Sequence, residues 1–287
     1  MSPLELVHLS PLMERTGGRA DIRVAVIDGP VVATHPDLAA ARIFELPGGP
    51  GSICARVDSA ACRHGTFIAG ILCAQRGSTA PAICPNCTLL VRPVFPETTG
   101  TEVELPSATA EELAAAITEA VQAGAHVVNM SAALVRPSAR GERVVEEALD
   151  YAAHCGVLAV AAAGNQASIG SSAITRHPWV IPVAGCDGDG TPTPETNLGS
   201  SIAKRGLRAP AKDVTSLGAD GNAQSFDGTS AATPFVTGTI ALLLSEFPKA
   251  SAAQIKWSVT HAGGLVRRAI VPPLLDAWTS YRMMAGT

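Results

Sequence analysis

What most limits how this chain can fold is a set of short runs that are apolar at nearly every position. They are IRVAVID (22–28), TLLVRPVF (88–95), HVVNMSA (126–132), VLAVAAAG (157–164) and WVIPVAG (179–185). A strand with one wet face alternates polar and apolar residues, whereas a strand buried on both faces does not. Between these runs lie helical segments. HGTFIAGILCAQ (64–75) has helical apolar spacing, and Thr109-Ala-Glu-Glu112 reads as a capping box opening a helix that stops at Gly124. RVVEEALDYAAHCG (143–156) ends at another glycine, and AATPFVTGTIALLL (231–244) carries no charge. The latter reads as a buried helix with Pro234 expected in its first turn, where a missing N–H does least harm. Ser251-Ala-Ala-Gln254 opens a helix to about His261, and PPLLDAWTSYRMM reads as a last helix. Such alternation predicts an α/β fold in three layers, a mainly parallel central β-sheet covered by helices on both faces. No repeat or linker interrupts it, so residues 21–287 are expected to form one domain after an N-terminal extension, 1–20.

The chain of 287 residues, 47% hydrophobic and 16% charged, has ample apolar material for such a core. A formal charge of −4 gives no basic field, which argues against nucleic acid or an anionic membrane as partner. No apolar stretch reaches the roughly 18 residues of a membrane span. The start, MSPLELVHLSPLMERTGGRADI, lacks the basic-then-apolar layout of a secretory signal, so a cytoplasmic location is expected. In a reducing cytoplasm the seven cysteines should be mainly thiols. Cys84-Pro-Asn-Cys87 could anchor zinc together with Cys54 and Cys62, although the usual second close pair is absent. One local disulfide and unpaired thiols are the other readings, and no connectivity follows from spacing. No metal or cofactor is assigned.

Ligands of parallel sheets bind beyond the carboxyl ends of the strands. Asp28, Asn129 with Ser131, and Asn165 fall at or near such ends, while His64 and Ser230 are expected at helix starts. Taken singly, each has an ordinary explanation as a turn residue or a cap. Taken together, Ser, His and Asp supply a nucleophile, a base and a group that orients the base. Asn165 and the backbone N–H of Ser230 would donate to an oxyanion.

VAVIDGPVVATHPDL, RHGTFIAGIL, VVNMSA, AAAGN and DGTSAATPFVTGTIALLL resemble the signature blocks of the subtilisin-like serine proteases. The resemblance spans roughly residues 20–262 and implies a subtilisin-like fold, with Asp28, His64 and Ser230 as catalytic triad and Asn165 as oxyanion donor. It implies that Ser131, Ala132 and Ala133, with Gly164, bind an extended peptide substrate by backbone pairing. IDGPV, the following THP, the short Asp28-to-His64 interval and ICPNCTLLVRPVFPE are similar to the leader-removing subtilases of cyanobactin biosynthesis. That narrower likeness implies cleavage of a ribosomally made precursor peptide inside the cell. Related macrocyclases carry a helical insertion near the site, for which the interval leaves little room.

The sequence departs from the family pattern in places. Phe67 stands where the commonest pattern has a second histidine, and is expected to change packing and not chemistry. Ser131-Ala132-Ala133 replaces Ser-Leu-Gly or Ser-Gly-Gly, and the loss of glycine at 133 bears on the substrate channel. With about twenty residues before the Asp28 strand, no folding prodomain is expected. Asp187-Gly-Asp189 is expected to be a solvated turn and not a calcium loop. The rival functions are macrocyclisation by the same acyl-enzyme, an inactive peptide-binding module, and a redox or zinc role for the cysteines.

Overall fold

The computed structural model of the protein describes residues 1–49, 54–97, 108–131, 139–263 and 270–286. Two short helices, α1 (Pro3–Leu6) and α2 (Ser10–Arg15), precede β1 (Arg23–Asp28). A 3₁₀ turn (Pro36–Leu38) and β2 (Arg42–Glu45) follow, then α3 (Ala60–Cys73) and β3 (Thr88–Pro93). Next come α4 (Ala110–Gln122), β4 (Val127–Met130), α5 (Ala139–His154), β5 (Leu158–Ala162), α6 (Ala173–Arg176) and β6 (Val180–Cys186). The last third holds α7 (Ser200–Arg205), β7 (Leu207–Pro210), β8 (Val214–Leu217), β9 (Ala223–Phe226), α8 (Thr229–Glu246), α9 (Ala252–His261) and α10 (Ala277–Ala285).

Seven strands form one sheet in the order β2-β3-β1-β4-β5-β6-β7, and every pairing in it is parallel. β8 and β9 form a separate antiparallel hairpin. Successive residues of β1 go to opposite layers. Val24 and Val26 join the core built with α3 and α8, while Ala25 and Ile27 join the one under α4 and α5. β5 divides likewise, Leu158 and Val160 against Ala159 and Ala161. Both faces of β1 and β5 are dry, which is why these runs show no alternation. The expected three-layer α/β architecture is the one observed. Val7, Leu9 and Leu12 are buried in the same core as α3 and α8, so the first residues pack onto the sheet domain.

Three local expectations need correction. α3 begins at Ala60, because the Ser59 hydroxyl accepts the Cys62 N–H at 3.1 Å; His64 therefore sits in the second turn. α8 begins at Thr229, which puts Pro234 inside the helix and not in its first turn. There the proline removes the N–H that would have paired with the Ser230 carbonyl. At α4 the capping box is half made. Thr109 accepts the Glu112 N–H at 3.1 Å, but the Glu112 carboxylate is drawn away to buried Arg92 at 2.9 Å.

The chain leaves β1 for β2 and β3 on one side and returns through β4 to β7 on the other. The carboxyl ends of β1 and β4 thus flank the point where strand order reverses, the place where an open parallel sheet leaves a crevice.

Candidate active site

β1 ends on Asp28, which is fully buried. Its Oδ1 accepts the Gly29 N–H at 2.7 Å and pairs with His64 Nδ1 at 2.6 Å. The opposite ring nitrogen, His64 Nε2, lies 2.9 Å from Ser230 Oγ at the start of α8. Three groups remote in sequence are therefore linked in one chain of hydrogen bonds, with the carboxylate innermost and the partly exposed hydroxyl outermost.

Backbone contact sets this register. A Cβ on Gly65 would lie 2.4 Å from the carbonyl oxygens of Gly29 and Pro30, and one on Gly29 would lie 2.0 Å from that of Ala61. Only glycines let α3 cross the end of β1 this closely, and the crossing presents His64 to Asp28. Thr66 Oγ1 holds the departing loop by accepting the Val32 N–H at 3.0 Å. Phe226, at the end of β9, closes one side of the imidazole at a centroid distance of 5.8 Å. Buried Phe67 packs edge-on against Phe226 at 4.8 Å, so it supports the wall beside His64. Its effect is one of packing, as expected.

Asn165 and the start of α8 are tied together. Asn165 Oδ1 accepts the Thr229 N–H at 2.9 Å, which leaves the amide nitrogen as a donor facing that helix end. A Cβ on Gly228, whose φ is +115°, would come within 2.8 Å of that nitrogen. Thr229 Oγ1 in turn accepts the Gly164 N–H at 3.1 Å. Asn197 fastens the far side, with its N–H on the Gly164 carbonyl and its Oδ1 accepting the N–H groups of Gln166 and Ser168. Asn197 has no local signal in the sequence, whereas Phe226 and Thr229 stand inside the run SFDGTS, which ends on Ser230. Both polar backbone groups of Gly164 are thus occupied, and it borders a cavity of about 340 Å³ lined also by Gln166, Ser168, Thr175 and Glu142.

Of the expected substrate-pairing segment, Ser131 is buried at the end of β4, its Oγ accepting from Asn129 Nδ2 at 3.3 Å. Asn129 Oδ1 accepts from the Thr237 hydroxyl of α8 at 2.8 Å, so Asn129 ties sheet to helix and lies below the crevice. Ala132 and Ala133 lie outside the described residues.

The four-cysteine grouping is corrected. Cys54 and Cys62 form a disulfide, and among the described residues no metal-sized group includes Cys84 or Cys87. Those two are buried together, and the Cys84–Cys87 hydrogen bond draws the Cys87 thiol down and pushes Cys84 up. Burial pushes the Cys73 thiol up to about 12. Asp187 Oδ1 accepts the backbone N–H groups of Asp189 and Thr191, which makes that loop a turn held by its own side chain.

No helix among the described residues is long and apolar enough to cross a membrane. Comparison with known proteins agrees with the geometry. Subtilisin DY of Bacillus licheniformis is 31% identical over 243 residues, covering 83% of this chain and 81% of that protein. Against several longer subtilisins the chain spans 59% of their length. Among solved structures, a mutant of the protease domain of PatA superposes with a TM-score of 0.85 at 30% identity, covering 94% of this chain and 97% of that one. The prenylagaramide maturation protease PagA gives 0.84 at 28% identity, covering 97% and 98%. The subtilase family model matches residues 19–270, and the chain belongs to that family.

Proposed function

We propose that the protein is a serine endopeptidase that matures a ribosomally synthesised precursor peptide by removing its leader. The observation that carries this reading is the unbroken relay from Asp28 through His64 to Ser230, at 2.6 and 2.9 Å. Ser230 Oγ attacks the scissile carbonyl while His64 Nε2 takes its proton. Asp28 holds Nδ1–H toward itself and stabilises the imidazolium that forms. The tetrahedral oxyanion is received by the Asn165 amide and the Ser230 N–H, at the positive end of α8. Collapse returns the proton from His64 to the leaving amine and leaves an acyl-enzyme on Ser230. Water, activated by the same imidazole, then releases the acid. No cofactor enters these steps.

The peptide runs extended along residues 131–133, and the side chain beside the cut enters the cavity bordered by Gly164. The likeness to PatA and PagA, both at or above 28% identity, supports a precursor peptide as substrate. Between β1 and α3 the described residues hold one 3₁₀ turn and one strand and no helical insertion, which supports hydrolysis over ring closure. Five free thiols, at Cys73, Cys84, Cys87, Cys155 and Cys186, against the single Cys54–Cys62 disulfide support a mainly reducing, cytoplasmic setting.

Two measurements test the proposal. A fluorophosphonate probe should label the protein once, with the adduct mapped to Ser230; absence of labelling would mean an inactive module. Incubation with a leader-bearing precursor peptide should give two linear fragments whose summed mass exceeds the substrate by one water. A cyclic product lacking that water would overturn hydrolysis in favour of macrocyclisation.

A further inference from the structure

Beside α3, outside the relay, two sulfurs and a carboxylate converge. Cys54 and Cys62 are joined, with Cα atoms 5.5 Å apart. Glu97, just beyond β3, turns its carboxylate onto the pair, so that Oε1 lies 2.6 Å from Cys62 Sγ. The ligand atoms of the three residues all fall within 4.8 Å of one another. The disulfide alone does not account for that approach. Its sulfurs carry no proton, and a carboxylate oxygen gains nothing by facing their lone pairs. A thiol would donate to the oxygen, and a cation between thiolate and carboxylate would neutralise both. The carboxylate is also held from behind, since Glu97 Oε1 accepts the Arg56 N–H at 3.2 Å. Cys62 lies in the first turn of α3, which fixes its side chain beside Glu97.

We propose that Cys54, Cys62 and Glu97 form a redox-gated zinc site, closed as a disulfide and open to one Zn²⁺ when reduced. Two thiolates and a carboxylate are a donor set suited to zinc, and three protein ligands leave a fourth position for water. Zinc lies about 2.3 Å from sulfur and about 2.0–2.2 Å from oxygen, so ligand atoms around one ion sit at most about 4.6 Å apart. Binding therefore needs the two sulfurs to part and the carboxylate oxygen to draw back from Cys62 Sγ, from 2.6 Å to about 3.5 Å. A dithiol reductant breaks the S–S bond, becomes a cyclic disulfide itself and leaves two thiols. Zinc then displaces two protons from them. The remaining buried cysteines offer no equal site, because among the described residues no three ligand atoms that include one of them come within the same reach. The site does not depend on the peptidase reading.

Spectroscopic titration with Co²⁺ tests this on the whole protein, oxidised or reduced with dithiothreitol and desalted without oxygen. The reduced protein should take up one Co²⁺ per chain, with a thiolate-to-cobalt charge-transfer band that Zn²⁺ abolishes, and the oxidised protein should show none. Glu97→Gln, which keeps both sulfurs, should weaken binding on the order of tenfold or more. Cys54→Ser and Cys62→Ser should each remove the band. A reduced, folded protein that shows no band would overturn the proposal. So would a band that survives in the Cys54→Ser/Cys62→Ser double variant, or unchanged affinity in Glu97→Gln.

Discussion

The two helices that deliver His64 and Ser230 begin in opposite ways. α3 is closed at its start, where the Ser59 hydroxyl accepts the Cys62 N–H at 3.1 Å. α8 is open. Its cap is Gly228, which has no side chain, and Asn165 takes only the Thr229 N–H, at 2.9 Å. The Ser230 N–H is among the first-turn donors that find no acceptor inside a helix. The contrast follows the charge each helix must meet. In the proposed mechanism His64 becomes a cation, which an open, positive helix end would disfavour, so that end is capped and Asp28 lies against the ring. Beside Ser230 an anion forms, and there free donors stabilise it.

Four variants break or sharpen this contrast. Ser230→Ala should leave the fold intact and lower kcat by about four orders of magnitude or more, with fluorophosphonate labelling lost. Wild-type turnover in this variant would mean that α8 does not carry the nucleophile. Asn165→Ala should cut kcat about 100–1000-fold with KM little changed, a magnitude typical of one oxyanion donor, subtilisin's included. Thr229→Val removes the acceptor of the Gly164 N–H while keeping the N–H that holds Asn165. Steady-state kinetics should show a loss in kcat of about tenfold, the displaced loop misplacing an otherwise intact donor. Ser59→Ala should cost about 1 kcal/mol of stability in a denaturant melt and leave kcat within about twofold, since the α3 cap is structural. If Ser59→Ala harms turnover as much as Asn165→Ala, the two helix ends do not differ in role.

Most of the sheet was legible because β1, β3, β4, β5 and β6 are dry on both faces and announced themselves by composition, whereas the exposed edge strand β2 did not. Nor did β7 and the β8–β9 hairpin. LRAP is four residues long, and VTSL and AQSF mix polar with apolar. The turn signal GADGN between the hairpin strands was present without a periodicity to flank it. Asp28, His64, Asn165 and Ser230 were readable from order and motif, and their convergence depends on glycine contacts that only the folded chain displays. Thr109 revealed the start of α4, but no local rule could show that Arg92, remote in sequence, would claim the Glu112 carboxylate. The Cys54–Cys62 pairing was equally hidden, because spacing left several partners open and the fold chose one.

The crossing of Gly29 and Gly65 has a consequence for redesign. Touching main chains hold the carboxylate and the imidazole in step. A side chain placed on either of the two bare α-carbons would press into the facing main chain and part the two, so any redesign of the surrounding loops has to leave both positions as glycine.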